Sequence, residues 1–439
     1  MIDTASWPPP LRGEVRVPGD KSLSHRAVLF ASMAEGRSHL SGVLASADVH
    51  STIAACRQLG ARISIDGEED GRLGPVEVLG WGTLGPSQPS SPVDCGNSGT
   101  TVRLLMGVLA GWPIEVTLTG DESLSRRPMR RVADPLTAMG ASIETTPHGT
   151  LPVIVRGSER LAGAHYASPV ASAQVKTAVL LAGLRAAGHT RITEPHLSRD
   201  HTERLLPAFG VPVDTDDAPG ASVYGPAYLK STDIAVPGDP SSAAFLVVAA
   251  LLVPGSDVTL PGVSLNPTRI GFVRVLERMG ADVSACVTQT HGEEPVGTIT
   301  AGYSPVMSGT VVRAEEIPSL VDEVPILALA AACATGTTRF EGVGELRVKE
   351  SDRLAAVTEG LTALGVTVRS GAEWLEVDGA RQLTGTVLSS LGDHRLAMTW
   401  AVAAQIASGE TEVRGIEAMR VSYPSFLDDL RGLMERTTS

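Results

Sequence analysis

Val17-Pro18-Gly19-Asp20 leads through Lys21-Ser22-Leu23-Ser24-His25-Arg26 into the apolar run 27–34, and Val236-Pro237-Gly238-Asp239 leads through Pro240-Ser241-Ser242 into the apolar run 243–253. The two Val-Pro-Gly-Asp copies stand about half of the 439-residue chain apart, the mark of a duplicated domain. Length agrees, because a single hydrophobic core rarely serves a chain of this size. Outward from these copies, short strand-like runs alternate with Ala/Leu-rich helices begun by small polar residues. The helices expected are 98–110, 172–187, 323–334, 351–364 and 394–406. Gly280-Ala-Asp-Val and Gly365-Val-Thr-Val each place a glycine where a helix gives way to a strand, as a glycine cap would. The alternation predicts α/β units. The spacing divides the chain into a domain 17–234 and a second domain of 1–16 plus 235–439.

Bulk composition narrows the function. Hydrophobic residues make up 43% and charged residues 19%, ordinary for a chain that buries a large core. A net charge of −13 excludes nucleic acid as the main partner, since a phosphate backbone demands a basic face. A local basic site for a small anion stays open. The apolar runs 243–253 and 324–334 fall short of the roughly 20 residues a membrane span needs. The start of the chain lacks a basic run followed by an apolar core, so a cytoplasmic protein is expected. Cys56, Cys95, Cys286 and Cys333 are scattered, as reduced structural thiols would be. No cluster has metal-ligand spacing, and neither metal nor cofactor is expected.

Four segments concentrate cations where helices are expected to begin. In the first, a helix starting near Ser22 places Ser22 and Arg26 on one face and Lys21 at the positive helix end, a ready anion site. It is not a Walker A loop, because Asp20 precedes Lys21. The second is Asp94-Cys95-Gly96-Asn97-Ser98-Gly99-Thr100-Thr101-Val102-Arg103, whose glycines permit close backbone approach to a ligand. In the third, Arg126-Arg127-Pro128-Met129, Pro128 as first helical residue would put Arg127 at the cap. The fourth is Arg347-Val348-Lys349-Glu350-Ser351-Asp352-Arg353. On one helix Lys349 and Arg353 would repel mildly, unless an anionic ligand or a nearby carboxylate reverses the sign. Taken singly, each segment reads equally well as a solvated turn. Lysine usage adds weight: of 36 basic residues only Lys21, Lys176, Lys230 and Lys349 are lysines, and three of them lie in flagged motifs.

Together with Asp393-His394-Arg395, these motifs occur in an order that closely resembles the 5-enolpyruvylshikimate-3-phosphate synthase family, from Val15 to about Leu430. Ser172-Ala173-Gln174-Val175-Lys176, Arg199-Asp200-His201-Thr202-Glu203 and Asn266-Pro267-Thr268-Arg269 are similar to its class II branch. The resemblance implies an α/β (α+β) fold of two similar domains. Each would hold three βαβαββ-type units in an inverted α/β barrel-like arrangement, with the active site in the interdomain cleft. It implies a monomer whose partners are two small molecules, phosphoenolpyruvate and shikimate 3-phosphate. Ser22, Arg26, Ser172, Ala173, Gln174, Arg199, Asp322 and Lys349 would hold shikimate 3-phosphate. Lys21, Asn97, Gly99, Arg127, Gln174, Arg353 and Arg395 would hold phosphoenolpyruvate, with His394 beside them. Asp322 resembles the family's acceptor of the hydroxyl proton, Glu350 the group that protonates and deprotonates the methyl carbon, and Lys21 a stabiliser of developing charge.

Some positions depart from the family pattern. Val421-Ser422-Tyr423-Pro424 lacks a lysine common near this point, Leu104 stands where a proline is usual, and Ala173 replaces a serine. The sister family that acts on UDP-N-acetylglucosamine carries Lys-Asn where this chain has Lys21-Ser22. It also carries a reactive cysteine near 122–127, where this chain has none. The remaining alternative is a non-catalytic anion binder of the same fold, which would have no use for Asp322, Glu350, Lys21 and Lys349 together.

Overall fold

The computed structural model describes residues 8–69, 71–215, 219–380 and 382–435. The chain forms two compact units. The first is Gly19–Val236 with His291–Glu294; the second joins the chain up to Pro18, Pro237–Thr290 and the chain from Pro295 onward.

One pattern recurs inside each unit. A strand, a helix, a parallel strand, a second helix and then antiparallel strands make one copy. In the first unit, Val93–Asp94 runs parallel to Glu115–Thr119, which pairs antiparallel with Val153–Arg156 and through it with Ser142–Glu144. Ile234–Ala235, Arg37–Ser41, Val76–Leu79 and Arg62–Ile65 form a second sheet of the same order. The third copy is shorter, with strands His165–Ala167, Gly188–Thr193 and Gly220–Gly225. The second unit repeats the scheme. Arg12–Glu14 lies parallel to Asp257–Ser264, and Val311–Val312 lies parallel to Thr337–Glu341, each at the edge of a four-stranded sheet. Its third copy keeps only Val387–Ser389 and Glu412–Arg414 among the described residues. Three βαβαββ-type copies per unit are thus present, with the last one trimmed in each.

Local sequence explains these elements. Glu115–Thr119 buries Val116 and Leu118 while Glu115 points outward, the period of two that a one-face-buried strand requires. The first helices of two copies, Pro240–Leu252 and Val324–Ala332, are apolar nearly all round and lie in the core, as such helices must. All 13 residues of Pro240–Leu252 are buried. Gly107 lets the Gly99–Ala110 helix close on Ala173–Gly183: a Cβ there would lie 2.3 Å from the Ala178 carbonyl oxygen. Gly280 and Gly365 do cap helices, Gly271–Arg278 and Arg353–Ala363, with φ of +85° and +88°. After each, the residue one further on bonds back across the last turn, Ala281 to Leu276 and Val366 to Leu361.

Several helix boundaries differ from the sequence expectation. The first helix is Lys21–Met33, beginning ahead of the apolar run because the Asp20 carboxylate caps the Leu23 N–H at 2.8 Å. Residues 172–187 shorten to Ala173–Gly183, since the Ala187 N–H turns away to the Leu161 carbonyl. Residues 323–334 and 351–364 shorten to Val324–Ala332 and Arg353–Ala363.

Candidate active site

The helix starts that carry the motifs gather at one end of each unit. In the first unit they are Lys21, Gly99 and Ala173, capped by Asp20, Ser98 and Ser172. Each cap oxygen takes an N–H further along the first turn, Leu23, Thr101 and Val175. The geometry of a helix leaves the earlier N–H groups, such as those of Gly99, Thr100, Ala173 and Gln174, without an intrahelical acceptor, pointing where an anion can sit.

Short polar side chains lock these starts together. Gln174 Nε2 donates to Thr100 Oγ1 at 3.0 Å, and its Oε1 accepts from Arg103 at 2.6 Å. His25 Nδ1 meets Thr52 Oγ1, which meets Thr101 Oγ1, both at 2.6 Å, and the Thr101 hydroxyl reaches the cap Ser98 at 2.7 Å. Burial drives the His25 pKa from 6.5 down to about 3; Asp48 opposes this, and Lys21 and Arg26 add to it. His25 is therefore neutral at physiological pH. Arg26 is buried and donates to Ser22 O, Thr177 Oγ1 and Thr202 Oγ1.

The other expected ligand residues border these starts. Lys21 pairs with Asp48 at 2.5 Å. Asn97 donates to Asp121 at 2.6 Å and accepts from Arg127 at 2.7 Å. At Gly99 an added Cβ would stand 2.9 Å from Arg103 Nη1 and 3.4 Å from Arg127 Nη1, so the glycine lets both guanidinium groups approach the helix start. Arg199 Nη1 reaches Ser22 Oγ at 3.5 Å. The expected helix cap at Arg127 is not formed. Leu124–Arg126 make a short 3-10 turn, Met129 is buried with its N–H on Gly149 O, and the helix begins only at Arg130.

In the second unit the corresponding starts are held by charge. Arg353, essentially buried, donates to Asp393 at 2.7 Å, to Asp322 at 2.9 Å and to Glu350. Burial alone would raise the Asp393 pKa; the Arg353 guanidinium overturns that and holds the carboxyl below its ordinary range. Asp393 also caps the His394–Ile406 helix through the Arg395 N–H at 2.9 Å. Arg395 reaches Glu323 at 3.2 Å and Asp322 Oδ2 at 3.5 Å, and His394 is buried beside it. Lys349 lies 3.7 Å from Asp322 and 3.2 Å from Glu345. Lys349 and Arg353 do not share a helix, so the repulsion they would have on one does not arise. Lys349 ends the 3-10 segment Gly344–Val348, and the two cations meet on Asp322 instead. Asp322 and Glu350 keep 13% and 25% of their side-chain surface, so a ligand can reach both.

Sequence reasoning missed Asp48 and Glu323, and it named Arg103 and Asp393 within motifs without giving either a role. Asp393 stood in view inside a recognised motif; its acidity next to buried arginines was the available signal. Among the described residues, no group of three or more His, Cys, Asp or Glu could hold a metal ion, and no helix is long and apolar enough to cross a membrane.

The profile of the family described as EPSP synthase (3-phosphoshikimate 1-carboxyvinyltransferase) matches residues 6–430. The chain belongs to this family. A 3-phosphoshikimate 1-carboxyvinyltransferase of Halorhodospira halophila is 49% identical over 423 residues, covering 96% of this chain and 94% of the relative. That of Bacillus cereus is 45% identical over 424 residues, covering 96% and 97%. A solved EPSP synthase of Acinetobacter baumannii superposes with a TM-score of 0.85 at 40% identity, with 97% of both chains covered. The enolpyruvyl transferase NikO of Streptomyces tendae shares the fold alone, at 19% identity and a TM-score of 0.76. The EPSP synthase family is thus matched over nearly the whole length, including every motif segment described above.

Proposed function

We propose that this chain works as its EPSP synthase relatives are named: it transfers the 1-carboxyvinyl group of phosphoenolpyruvate to the 5-hydroxyl of shikimate 3-phosphate and releases phosphate, a step in aromatic amino acid biosynthesis. The observation that carries this reading is Asp322 and Glu350 held on one buried arginine, with Lys349 beside Asp322. Such a group supplies an acid, a base and charge stabilisation to one reaction.

In the proposed sequence Asp322 takes the hydroxyl proton as the 5-oxygen attacks C2 of phosphoenolpyruvate. Glu350 gives a proton to C3, making a methyl group on a tetrahedral intermediate. Glu350 then takes back a proton from that methyl, the C2–O bond to phosphate breaks, and Lys21 and Lys349 stabilise the departing charge. Ser22, Ser172, Ala173, Gln174, Arg199, Asp322 and Lys349 are the proposed shikimate 3-phosphate ligands. Arg26, which donates to the Ser22 carbonyl, is proposed as a further ligand of shikimate 3-phosphate. Lys21, Asn97, Gly99, Arg127, Gln174, Arg353 and Arg395 hold phosphoenolpyruvate, with His394 at the start of the Arg395 helix. The same reading carries a cytoplasmic, monomeric enzyme.

Phosphate release from phosphoenolpyruvate, measured with and without shikimate 3-phosphate, tests this. Release that requires shikimate 3-phosphate supports it. Release that requires UDP-N-acetylglucosamine moves the chain to the sister activity, and no release with either, despite tight binding, leaves only anion binding.

A further inference from the structure

Lys176 is the one motif lysine for which the proposed reaction has no use. It is fully buried, and its ammonium meets Glu203 Oε1 at 2.7 Å, Glu194 Oε2 at 3.0 Å and the Ser198 carbonyl at 3.3 Å. Three acceptors satisfy its three N–H donors, so it has none left for a ligand. Burial alone would lower its pKa, but Glu203 and Glu194 raise it, and Lys176 stays charged. Burial raises the Glu203 pKa despite the attraction of Lys176.

Glu194, the fully buried partner, reaches outward from this pair. Its Oε1 accepts the Ser172 N–H at 2.8 Å, at the cap of the Ala173–Gly183 helix. Both its oxygens accept the Ser198 hydroxyl, at 2.8 and 2.7 Å, in the loop that leads directly into Arg199. A single carboxylate therefore binds the helix cap and the arginine loop to each other. The Lys176 charge does two things for it. It offsets the cost of burying the carboxylate, and it cancels a negative charge that would otherwise oppose a phosphate arriving at the same cap.

We infer that Glu194, braced by Lys176, is a positioning residue for shikimate 3-phosphate that sets Ser172 and Arg199 at the spacing the sugar phosphate requires. This rests on the reading that Ser172 and Arg199 hold that substrate. Glu194→Gln keeps the shape and one oxygen for the Ser172 N–H but removes the charge that Lys176 grips. The KM for shikimate 3-phosphate should rise about tenfold, the scale on which losing a partner behind a ligand-holding group is felt. The KM for phosphoenolpyruvate and kcat should stay within about twofold, a split that loss of folded protein alone would not produce. In an Arg199→Ala background the same substitution should add less than it does alone, because both act through one contact. If Glu194→Gln does not fold, Ser198→Ala removes the hydroxyl link to the loop and should raise the same KM roughly threefold, the scale of one lost hydrogen bond. An unchanged shikimate 3-phosphate KM in these variants, or equal rises in both KM values, overturns the proposal. Ser172→Ala and Arg199→Ala run alongside: if they too leave that KM unchanged, the substrate reading of this cap is what fails.

Discussion

The two Val-Pro-Gly-Asp copies begin helices in the same way and then part. Asp20 caps the Leu23 N–H at 2.8 Å and Asp239 caps the Ser241 N–H at 2.7 Å. After Asp20 comes Lys21, half-buried and paired with Asp48. After Asp239 comes Pro240, and the acid turns instead to buried Arg269 at 2.9 Å. The contrast extends through both units. In the first, hydroxyls, an amide and a neutral imidazole join the helix starts, the buried Lys176–Glu194 pair ties one of them to the Arg199 loop, and Lys21, Arg127 and Arg199 stand at their border. In the second, Arg353 and Arg395 are embedded among Asp322, Glu323, Glu350 and Asp393. One duplicated geometry thus serves two ends. In the first unit the framework keeps cations and backbone donors disposed toward an anionic ligand, whereas in the second it fixes the carboxylates proposed to handle protons.

The sharpest way to break this contrast is to remove the proposed proton-handling group without its scaffold. Glu350→Gln should lower turnover roughly 10²–10⁴-fold, the range for a lost acid–base group. Its thermal midpoint should stay near wild type, because Arg353 retains Asp393 and Asp322. A variant with unaltered turnover would remove Glu350 from the chemistry.

Stability separates the units next. Arg353→Met leaves buried Asp393 without its partner and should cost about 3–5 kcal/mol by denaturant unfolding. Lys21→Met breaks a partly exposed pair and should cost only about 1 kcal/mol or less, with its effect appearing in the phosphoenolpyruvate KM and in kcat. Equal losses of stability would erase the distinction between a cation buried among carboxylates and one in a partly exposed pair.

Acid offers a third comparison. His25 is neutral when folded, with a pKa of about 3 against an ordinary 6.5, so the unfolded chain binds the extra proton. Its contribution is complete above pH 6.5 and is lost progressively as pH falls toward 3, reaching about 3 kcal/mol by pH 4.5. Asp393 also has a lowered pKa, but its contribution is present above the ordinary 3.8 and lost only below it. Hydrogen exchange at pH 4.5 should therefore loosen the first unit while the Arg353 group holds. The smallest expected effect is that of Arg127→Lys, which keeps the charge but loses the planar fork on Asn97 and should raise the phosphoenolpyruvate KM several-fold.

Much of this was legible in the sequence. The α/β alternation, the duplicated cap motif and the Gly280 and Gly365 caps are local signals, written in residues that touch their near neighbours. The helix over 394–406 was found to the residue because Asp393 and the apolar run after it agree. What stayed hidden depends on distant segments. Nothing beside Lys21 announces Asp48, and nothing beside Arg353 announces Asp393 and Asp322, which fold brings together across the chain. The local rule that places proline first in a helix misled at Pro128, because burial of Met129 and its bond to Gly149 outweighed it.

The most direct test of the division between proton-handling carboxylates and ligand-holding cations is to run the reaction in deuterium oxide and weigh the product. Protonation of C3 by Glu350 followed by deprotonation predicts solvent deuterium in the product's vinyl methylene, with product formation collapsing in Glu350→Gln while shikimate 3-phosphate still binds. Product formed at an undiminished rate with no deuterium in that methylene would contradict the account.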